Sequence, residues 1–366
     1  MKLEERYARH YGLRDFGPQA QEKLQRGSIL VIGAGGLGCP VLQYLTASGV
    51  GKIGIVDNDR ISLSNLHRQI LYDSTQIGEY KAQVASDRLK LLNPLVNIQT
   101  YILYISPENA IELIEGYDIV IDCTDNFSTR YLLSDICMLL DKPLIFGAIF
   151  EYEGQVAIFN KADERGNQTT YRDLFPTPPN PLDSPDCNES GVLGVLPGVI
   201  GVLQATEALK LLTGVGNPLV NKLMIINIKD YNTVIVDISP KQRVSDSFAP
   251  SSLAEFEDFD YAVHCGIKGN NVPSISSQEF LTIQDSSKVL ILDVRNTHEF
   301  PKLQCKHIQI PLSQLSDSLQ QIDKKEIIVV CQEGKRSQAA AQMLTEKLGT
   351  SYSIRNLEGG LSAMTL

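Results

Sequence analysis

The 366-residue chain has no C-x-x-C pair anywhere, which excludes a structural zinc site built from two such knuckles. It has no excess of cations either. A formal charge of -10 argues against a polyanionic partner, because nucleic-acid binding rests on phosphate neutralisation by Lys and Arg, so no nucleic-acid partner is expected. The opening MKLEERYARHYGLRDFG has no apolar signal-peptide core, and no later apolar run is expected to reach the ~18 residues that cross a bilayer. A soluble cytoplasmic protein without a membrane partner is the expectation. Seven cysteines, at 39, 123, 137, 187, 265, 305 and 331, form no close-spaced framework, and their odd number leaves one over, so reduced thiols are the simpler account. There is no internal repeat.

What is present is a globular composition, 43% hydrophobic and 21% charged, on a chain long enough for two domains. SILVIG (28–33), KIGIVD (52–57), VNIQTYIL (96–103) and YDIVIDC (117–123) read as strands, mostly near-continuously apolar as buried parallel strands are. Helical patterns fall between them at 37–48, 80–92, 107–115 and 129–140. This alternation predicts an α/β fold, a Rossmann-like doubly wound sheet with its crevice at the strands' carboxyl ends. After PLIFGAIF (143–150) and EGQVAIFN comes a polar, proline-rich stretch, 161–190, too long for a simple connector. A Gly-rich apolar helix over 192–212 and two hairpin-like strands, 222–228 and 233–238, follow. The acidic, Ser-rich SDSFAPSSLAEFEDFDY reads as a linker, giving domains at 1–244 and 274–366 with 245–273 between them. The second domain repeats the α/β pattern on a smaller scale, with strands VLILDV (289–294) and IIVVC (327–331) and a helix over 337–347.

GAGGLG (33–38) follows a strand, opens a helix, and has Asp57 at the end of the next strand. Gly33, Gly35 and Gly38 permit a tight turn and close approach to phosphate, helix amides face the anion, and Asp57 can take ribose hydroxyls. By itself this suits an NAD(P)-dependent dehydrogenase. The next segment, SLSNLHRQ (62–69), adds Asn65 and Arg68, with Lys81 on the following helix, a cationic set suited to charge developing on pyrophosphate. Asp125 in DCTDN offers an oxygen ligand to magnesium.

At these residues the chain resembles the ThiF/MoeB/HesA family, adenylyltransferases that activate ubiquitin-like sulfur carriers. The resemblance runs from Leu3 to Pro240 through RYARH, GAGGLG, SLSNLHRQ, DCTDN and GVLGVLPGVIGVLQATEALKLL. It implies that Gly36, Asp57, Ser64, Asn65, Arg68, Lys81, Asp125 and Asn126 contact ATP, with Asp125 the Mg²⁺-associated carboxylate. Arg9 matches an arginine that such enzymes insert into the partner subunit's site, which implies a homodimer. The implied partner is a small ubiquitin-like β-grasp sulfur carrier ending in Gly-Gly, adenylated on that glycine. Many members hold zinc with two C-x-x-C pairs, whereas this chain has TYRDLF (170–175) and SPKQRVS (239–245) at those places, so zinc is not expected.

Two thiols stand out. Cys187, in DCNESG at the end of the proline-rich stretch, matches a position where relatives keep a cysteine that links to the carrier, although no histidine lies nearby in sequence. Cys331 ends an apolar strand and opens a loop running into a helix, where loop amides, the helix N-terminus, Lys335 and Arg336 favour a thiolate. A phosphatase loop of this type is longer; with only Gln332 to Lys335 before the arginine, this one suits a sulfur atom better. Together with LDVRNTHEF (292–300) and NLEGGLSA (356–363) it resembles a rhodanese-like domain over 274–366, whose cysteine carries a persulfide. Glu333 inside the loop disfavours an anionic donor such as thiosulfate and favours a persulfide donor protein. Cys305 and His307 are assigned to structure.

The combined expectation is ATP-dependent adenylation of a carrier followed by persulfide sulfur transfer to a thiocarboxylate, in molybdopterin or thiamine biosynthesis. A carrier-binding scaffold without chemistry and a dehydrogenase are the alternatives.

Overall fold

The computed structural model describes residues 3–179, 191–240, 249–265, 272–297, 299–349 and 351–364. Two compact units emerge, one made of the chain up to Thr177 with 191–259, the other from Asp260 onward.

In the first unit, helical turns at Leu3–Arg6 and α1 (Ala8–Tyr11) and the longer α2 (Gly17–Arg26) precede the sheet. Then β1 (Ser28–Ile32), α3 (Gly38–Ser48), β2 (Lys52–Val56), α4 (Lys81–Leu92), β3 (Asn97–Tyr101), α5 (Pro107–Glu115), β4 (Ile119–Asp122) and α6 (Phe127–Leu139) alternate as expected. β5 (Leu144–Phe150) and β6 (Glu153–Phe159) form a hairpin, and β7 (Lys222–Asn227) and β8 (Asn232–Asp237) extend the sheet after α7 (Val195–Thr213). The strand order is β3-β2-β1-β4-β5-β6-β7-β8. β1 to β5 are parallel and β6 to β8 antiparallel.

The register explains the strand runs. Ile29 lies between Ile53 and Ile119, and Val31 between Ile55 and Ile121, so β-branched side chains stack across three strands with both faces covered. The order reverses between β1 and β4, which opens a crevice at their carboxyl ends. Gln204 of α7, fully buried, donates to the Asp122 carbonyl at 2.7 Å and fixes the end of β4.

Three expectations change. α7 has the length and hydropathy of a bilayer span, 19 residues at mean hydropathy 1.4, contrary to the reading that no apolar run does. It packs on α3, β5 and β6, and it carries buried Glu207, which accepts from Lys210 Nζ at 2.6 Å and the Leu219 N–H at 2.7 Å. Its buried residues, among them Leu196, Ile200, Ala205 and Ala208, join the core of this unit. The linker reading of 245–273 also gives way in part: Ser252 caps α8 (Leu253–Glu257), Phe256 is fully buried, and α8 packs on α5 and α6. The apolar residues in LAEFEDF therefore belong to the first unit. Finally, α6 starts at Phe127 rather than Thr129, because Asn126 caps it through the Thr129 N–H at 2.9 Å.

The second unit is a five-stranded parallel sheet of order β11-β10-β12-β13-β9, from β9 (Ser274–Ile275), β10 (Val289–Asp293), β11 (Ile308–Gln309), β12 (Glu326–Val330) and β13 (Ser353–Leu357). α9 (Ser277–Ile283) and α10 (Lys335–Leu348) are its longest helices among the described residues. Aliphatic clusters on both faces make an independent core.

Candidate functional sites

The turn joining β1 to α3 organises the first site. Gly33 has φ +95°, and a Cβ there would lie 2.8 Å from the Cys123 carbonyl oxygen; a Cβ on Gly38 would lie 2.0 Å from the Gly33 carbonyl oxygen. Strand, turn and helix therefore close together only with glycine at both places. A Cβ on Gly35 would meet nothing nearer than Gln69 Nε2 at 3.6 Å, so the protein itself leaves that position open to a ligand.

Charged groups ring this turn. Asp57, just past β2, accepts the Ala34 N–H at 2.7 Å and the Asp59 N–H at 2.8 Å. Burial raises its carboxyl pKa, and the charge of Lys81 and these N–H groups offset only part of the rise. Lys81 opens α4, is nearly buried, and donates to Asp59 at 2.8 Å. Asn65 Oδ1 accepts from Arg68 Nη2 at 2.9 Å, Arg68 Nη1 donates to the Ser64 carbonyl at 3.2 Å, and Asn65 Nδ2 donates to Ser62. His67 has its pKa lowered by burial and then by Arg68, and its Nε2 stands 2.7 Å from Arg68 Nη1. The Arg68 stem lies beside Gly36, where a Cβ would meet Cδ at 3.6 Å.

Asp125 follows Cys123 by two residues and is exposed, while Asp122 beneath it is buried, accepts from Thr124, and has its carboxyl pKa raised by burial. Arg130 donates to the Thr124 carbonyl at 3.1 Å and holds this loop. Of the two aspartates only Asp125 offers oxygen to solvent. No group of three or more His, Cys, Asp or Glu side chains that could hold a metal occurs among the described residues. Asn126 spends its carbonyl on the α6 cap, receiving Thr129 N–H and Ser128 Oγ.

Arg9 is the exception. It lies exposed on α1, two residues after Tyr7, whose hydroxyl packs on Gly49 and receives Asn93 Nδ2 at 2.9 Å. Gly49 caps the far end of α3, and eleven helical residues at 1.5 Å each put about 16 Å between that end and the glycine turn. Tyr7, two residues before Arg9, thus anchors α1 at the end of α3 opposite the glycine turn.

At the positions where zinc is not expected, the Tyr171–Leu174 turn is held by other means. Arg172 grips the buried Asp135 at 2.7 and 2.8 Å, and Tyr171 packs among Tyr131, Phe146, Phe159 and Phe175. Residues 241–245 of SPKQRVS, and Cys187, lie outside the described residues.

The second site is Cys331, directly after β12. Its Sγ is buried and accepts the Gly334 N–H at 3.1 Å and the Ser337 hydroxyl at 3.2 Å. The loop is pinned from outside: the Leu361 N–H binds the Cys331 carbonyl and the Ser362 N–H the Gln332 carbonyl, both at 2.9 Å. A Cβ on Gly360 would come 2.5 Å from the Cys331 carbonyl oxygen, so the NLEGGLSA turn needs its second glycine to close on the loop. Arg295, fully buried, pairs with Asp293 at 2.8 Å and donates to Gln332 Oε1 at 3.1 Å. Burial pushes Cys39 up to about 12 despite its place in the first turn of α3, and raises Cys123 and Cys305 as well. None of the six described cysteines is disulfide-bonded.

Comparison with known proteins decides the class. Residues 7–246 match the ThiF family and 276–365 the rhodanese-like domain. The chain belongs to the ThiF family. It is 47% identical over 267 residues to the sulfur carrier protein adenylyltransferase of Thermus thermophilus, covering 72% of this chain and 97% of that one. It is 39% identical to adenylyltransferase and sulfurtransferase MOCS3-1 of Zea mays, covering 98% and 80%, and 38% identical to MOCS3 of Drosophila sechellia, covering 98% and 82%. Among solved structures, Escherichia coli MccB bound to MccA-N7isoASN shares the fold of the first unit, with TM-score 0.58, 21% identity, and 67% and 74% coverage. The chain is accordingly an enzyme, an adenylyltransferase with a rhodanese-like sulfurtransferase domain.

Within the ThiF-family unit, Asp57 is bonded to the glycine turn and, through the Asp59 segment, stands near Lys81, while Ser64, Asn65 and Arg68 are bonded to one another beside Gly36; Asp125 and Asn126 lie on the loop after β4. Asp59 and Arg130 were not singled out in the sequence, although Asp59 is two residues from Asp57 and faces Lys81. In the rhodanese-like unit the unforeseen group is Glu299. It binds Arg336 at 2.6 and 2.8 Å, so this arginine does not lend the loop the uncompensated positive charge its sequence position suggests.

Proposed function

We propose that the ThiF-family unit uses ATP to adenylate the C-terminal glycine of a small ubiquitin-like carrier, and that a Cys331 persulfide then sulfurates the activated carboxyl. The carrier carboxylate attacks the α-phosphate and pyrophosphate leaves, giving an acyl adenylate. Gly33 to Gly38 hold the phosphates through backbone amides, Asp57 takes the ribose hydroxyls, and Arg68, Lys81 and Asn65 face the charge that develops on the leaving group. Lys81 enters that role by exchanging Asp59 for phosphate. Asp125 would hold Mg²⁺, which when bound offsets the triphosphate charge. Zinc plays no part in this reading.

The terminal sulfur of the Cys331 persulfide attacks the acyl adenylate and AMP leaves, giving an acyl disulfide. A second thiolate, assigned to Cys187, attacks the sulfur of Cys331, releases the carrier thiocarboxylate and leaves a protein disulfide, which a cellular thiol reductant opens. The sulfur source is a persulfide donor protein, the setting a reducing cytoplasm, and the pathway molybdopterin or thiamine biosynthesis. The exposure of Arg9, on a helix that Tyr7 anchors at the end of α3 opposite the glycine turn, supports a homodimer in which each chain lends Arg9 to the other's site.

The observation that carries this reading is a glycine turn left open at Gly35, with Asp57 bonded to it, the Arg68 stem beside Gly36 and the buried Lys81 paired with Asp59 close by in sequence, a cationic set that a dinucleotide site does not need. ATP–pyrophosphate exchange with candidate Gly-Gly carriers tests it. Exchange that requires both a carrier and Lys81 supports adenylation and names the carrier; no exchange with any carrier overturns it in favour of a scaffold.

A further inference from the structure

Arg336 lies in the first turn of α10, next to Ser337, which donates to Cys331 Sγ. Both its terminal nitrogens are taken by the two oxygens of Glu299, and each partner's side chain is only 13% exposed. Glu299 is oriented in turn by the Asn296 N–H at 2.8 Å. Burial alone would raise its carboxyl pKa, but the hydrogen bonds from Arg336 and Asn296 and the charges of Arg336 and Arg295 outweigh burial and lower it. Two-point guanidinium–carboxylate pairing is directional and resists exchange for a passing anion. Deeper in, Arg295 is likewise committed to Asp293. Glu333 adds an exposed negative charge, and the Lys335 side chain lies outside the described residues.

We infer that Glu299 is a donor-selectivity residue: by occupying Arg336 it keeps the approach to Cys331 from attracting small dianions and leaves sulfur delivery to a protein persulfide. The inference rests on the reading of Cys331 as the sulfur carrier. In either loading reaction the Cys331 thiolate attacks the outer sulfur of the donor, that donor's S–S bond breaks, and the electron pair leaves on sulfite (from thiosulfate) or on the donor's cysteine thiolate. Cys331 keeps a persulfide anion and nothing is oxidised overall. The two donors differ in what must be stabilised: thiosulfate brings a dianion to the loop mouth, whereas a partner protein brings a single charge with its own contacts.

The test is sulfur loading of the full chain from thiosulfate, read as thiocyanate after cyanide addition, beside loading from a persulfidated cysteine desulfurase-type protein. Glu299→Gln is expected to lower the thiosulfate KM about tenfold, with a smaller change in kcat and no gain with the protein donor. Adding Arg336→Gln to it should abolish the gain, and Glu299→Asp should fall between wild type and Glu299→Gln. An unchanged thiosulfate KM in both Glu299 variants, or equal proportional losses with both donors, would overturn the inference and leave Glu299 as loop support. Failure of the wild-type chain to hold cyanide-labile sulfur on Cys331 from any donor overturns the carrier reading itself, a result visible before any variant is compared.

Discussion

In the ThiF-family unit the charged groups come from well-separated stretches, Asp57 after β2, Arg68 and Asn65 from the following turn, Lys81 from α4 and Asp125 after β4, and of these Asp57 and Arg68 reach the glycine turn itself. In the rhodanese-like unit the candidate thiol and its immediate donors fall within Cys331 to Ser337, and Arg336, next to the donor Ser337, is already matched by Glu299. The first arrangement suits a large polyanion that brings its own charge. The second suits one sulfur atom delivered and removed with little net charge.

The contrast can be broken at several points. The largest effect is expected from Cys331→Ala, which should abolish thiocarboxylate formation while ATP–pyrophosphate exchange continues at the wild-type rate; mass spectrometry of the carrier and exchange assays read the two separately. Yield unchanged with every donor would remove Cys331 from the reaction. Next, Lys81→Ala should cut exchange about 10²- to 10³-fold, the usual scale for one donor facing developing charge. Arg9→Ala should cut it too, and mixing the two inactive variants should restore part of the activity if the sites are shared between subunits. No recovery on mixing would place Arg9 outside the site.

A finer cut separates two glycines of one motif. Gly38→Ala should destabilise the protein by about 1–3 kcal/mol in urea unfolding, the scale of core overpacking, because its Cβ would meet the Gly33 carbonyl oxygen at 2.0 Å. Gly35→Ala should stay within about 0.5 kcal/mol of wild type and instead raise the KM for ATP. The smallest effect concerns pH. Glu299 has a lowered folded pKa, so its stabilisation is fully present above the usual Glu value of about 4.3 and is lost as pH falls through the folded value. The difference in thermal stability between wild type and Glu299→Gln should be constant at neutral pH and shrink only in that acid range.

Much of this was legible in the sequence for a physical reason. Strands buried on both faces must be apolar along their length, and a turn that brings β1, α3 and Cys123 together must have glycine at 33 and 38, so these elements are visible residue by residue. What the sequence hid depends on distant partners. Asn126 moves the start of α6 by a side-chain cap, Phe256 draws a polar-looking stretch into the core, and Glu299, from the segment between β10 and β11, cancels Arg336. Local pattern reports which groups exist, and only the fold reports which are already paired.

The backbone bonds from Leu361 and Ser362 to the carbonyls of Cys331 and Gln332 also set an order in time. During synthesis β12 and its thiol leave the ribosome a helix, a strand and a turn before the residues that clamp them. The nucleotide unit has by then been made. A chain interrupted after α10 would therefore carry a formed adenylating unit and an exposed, unshaped cysteine, able to activate a carrier with no competent sulfur to give it.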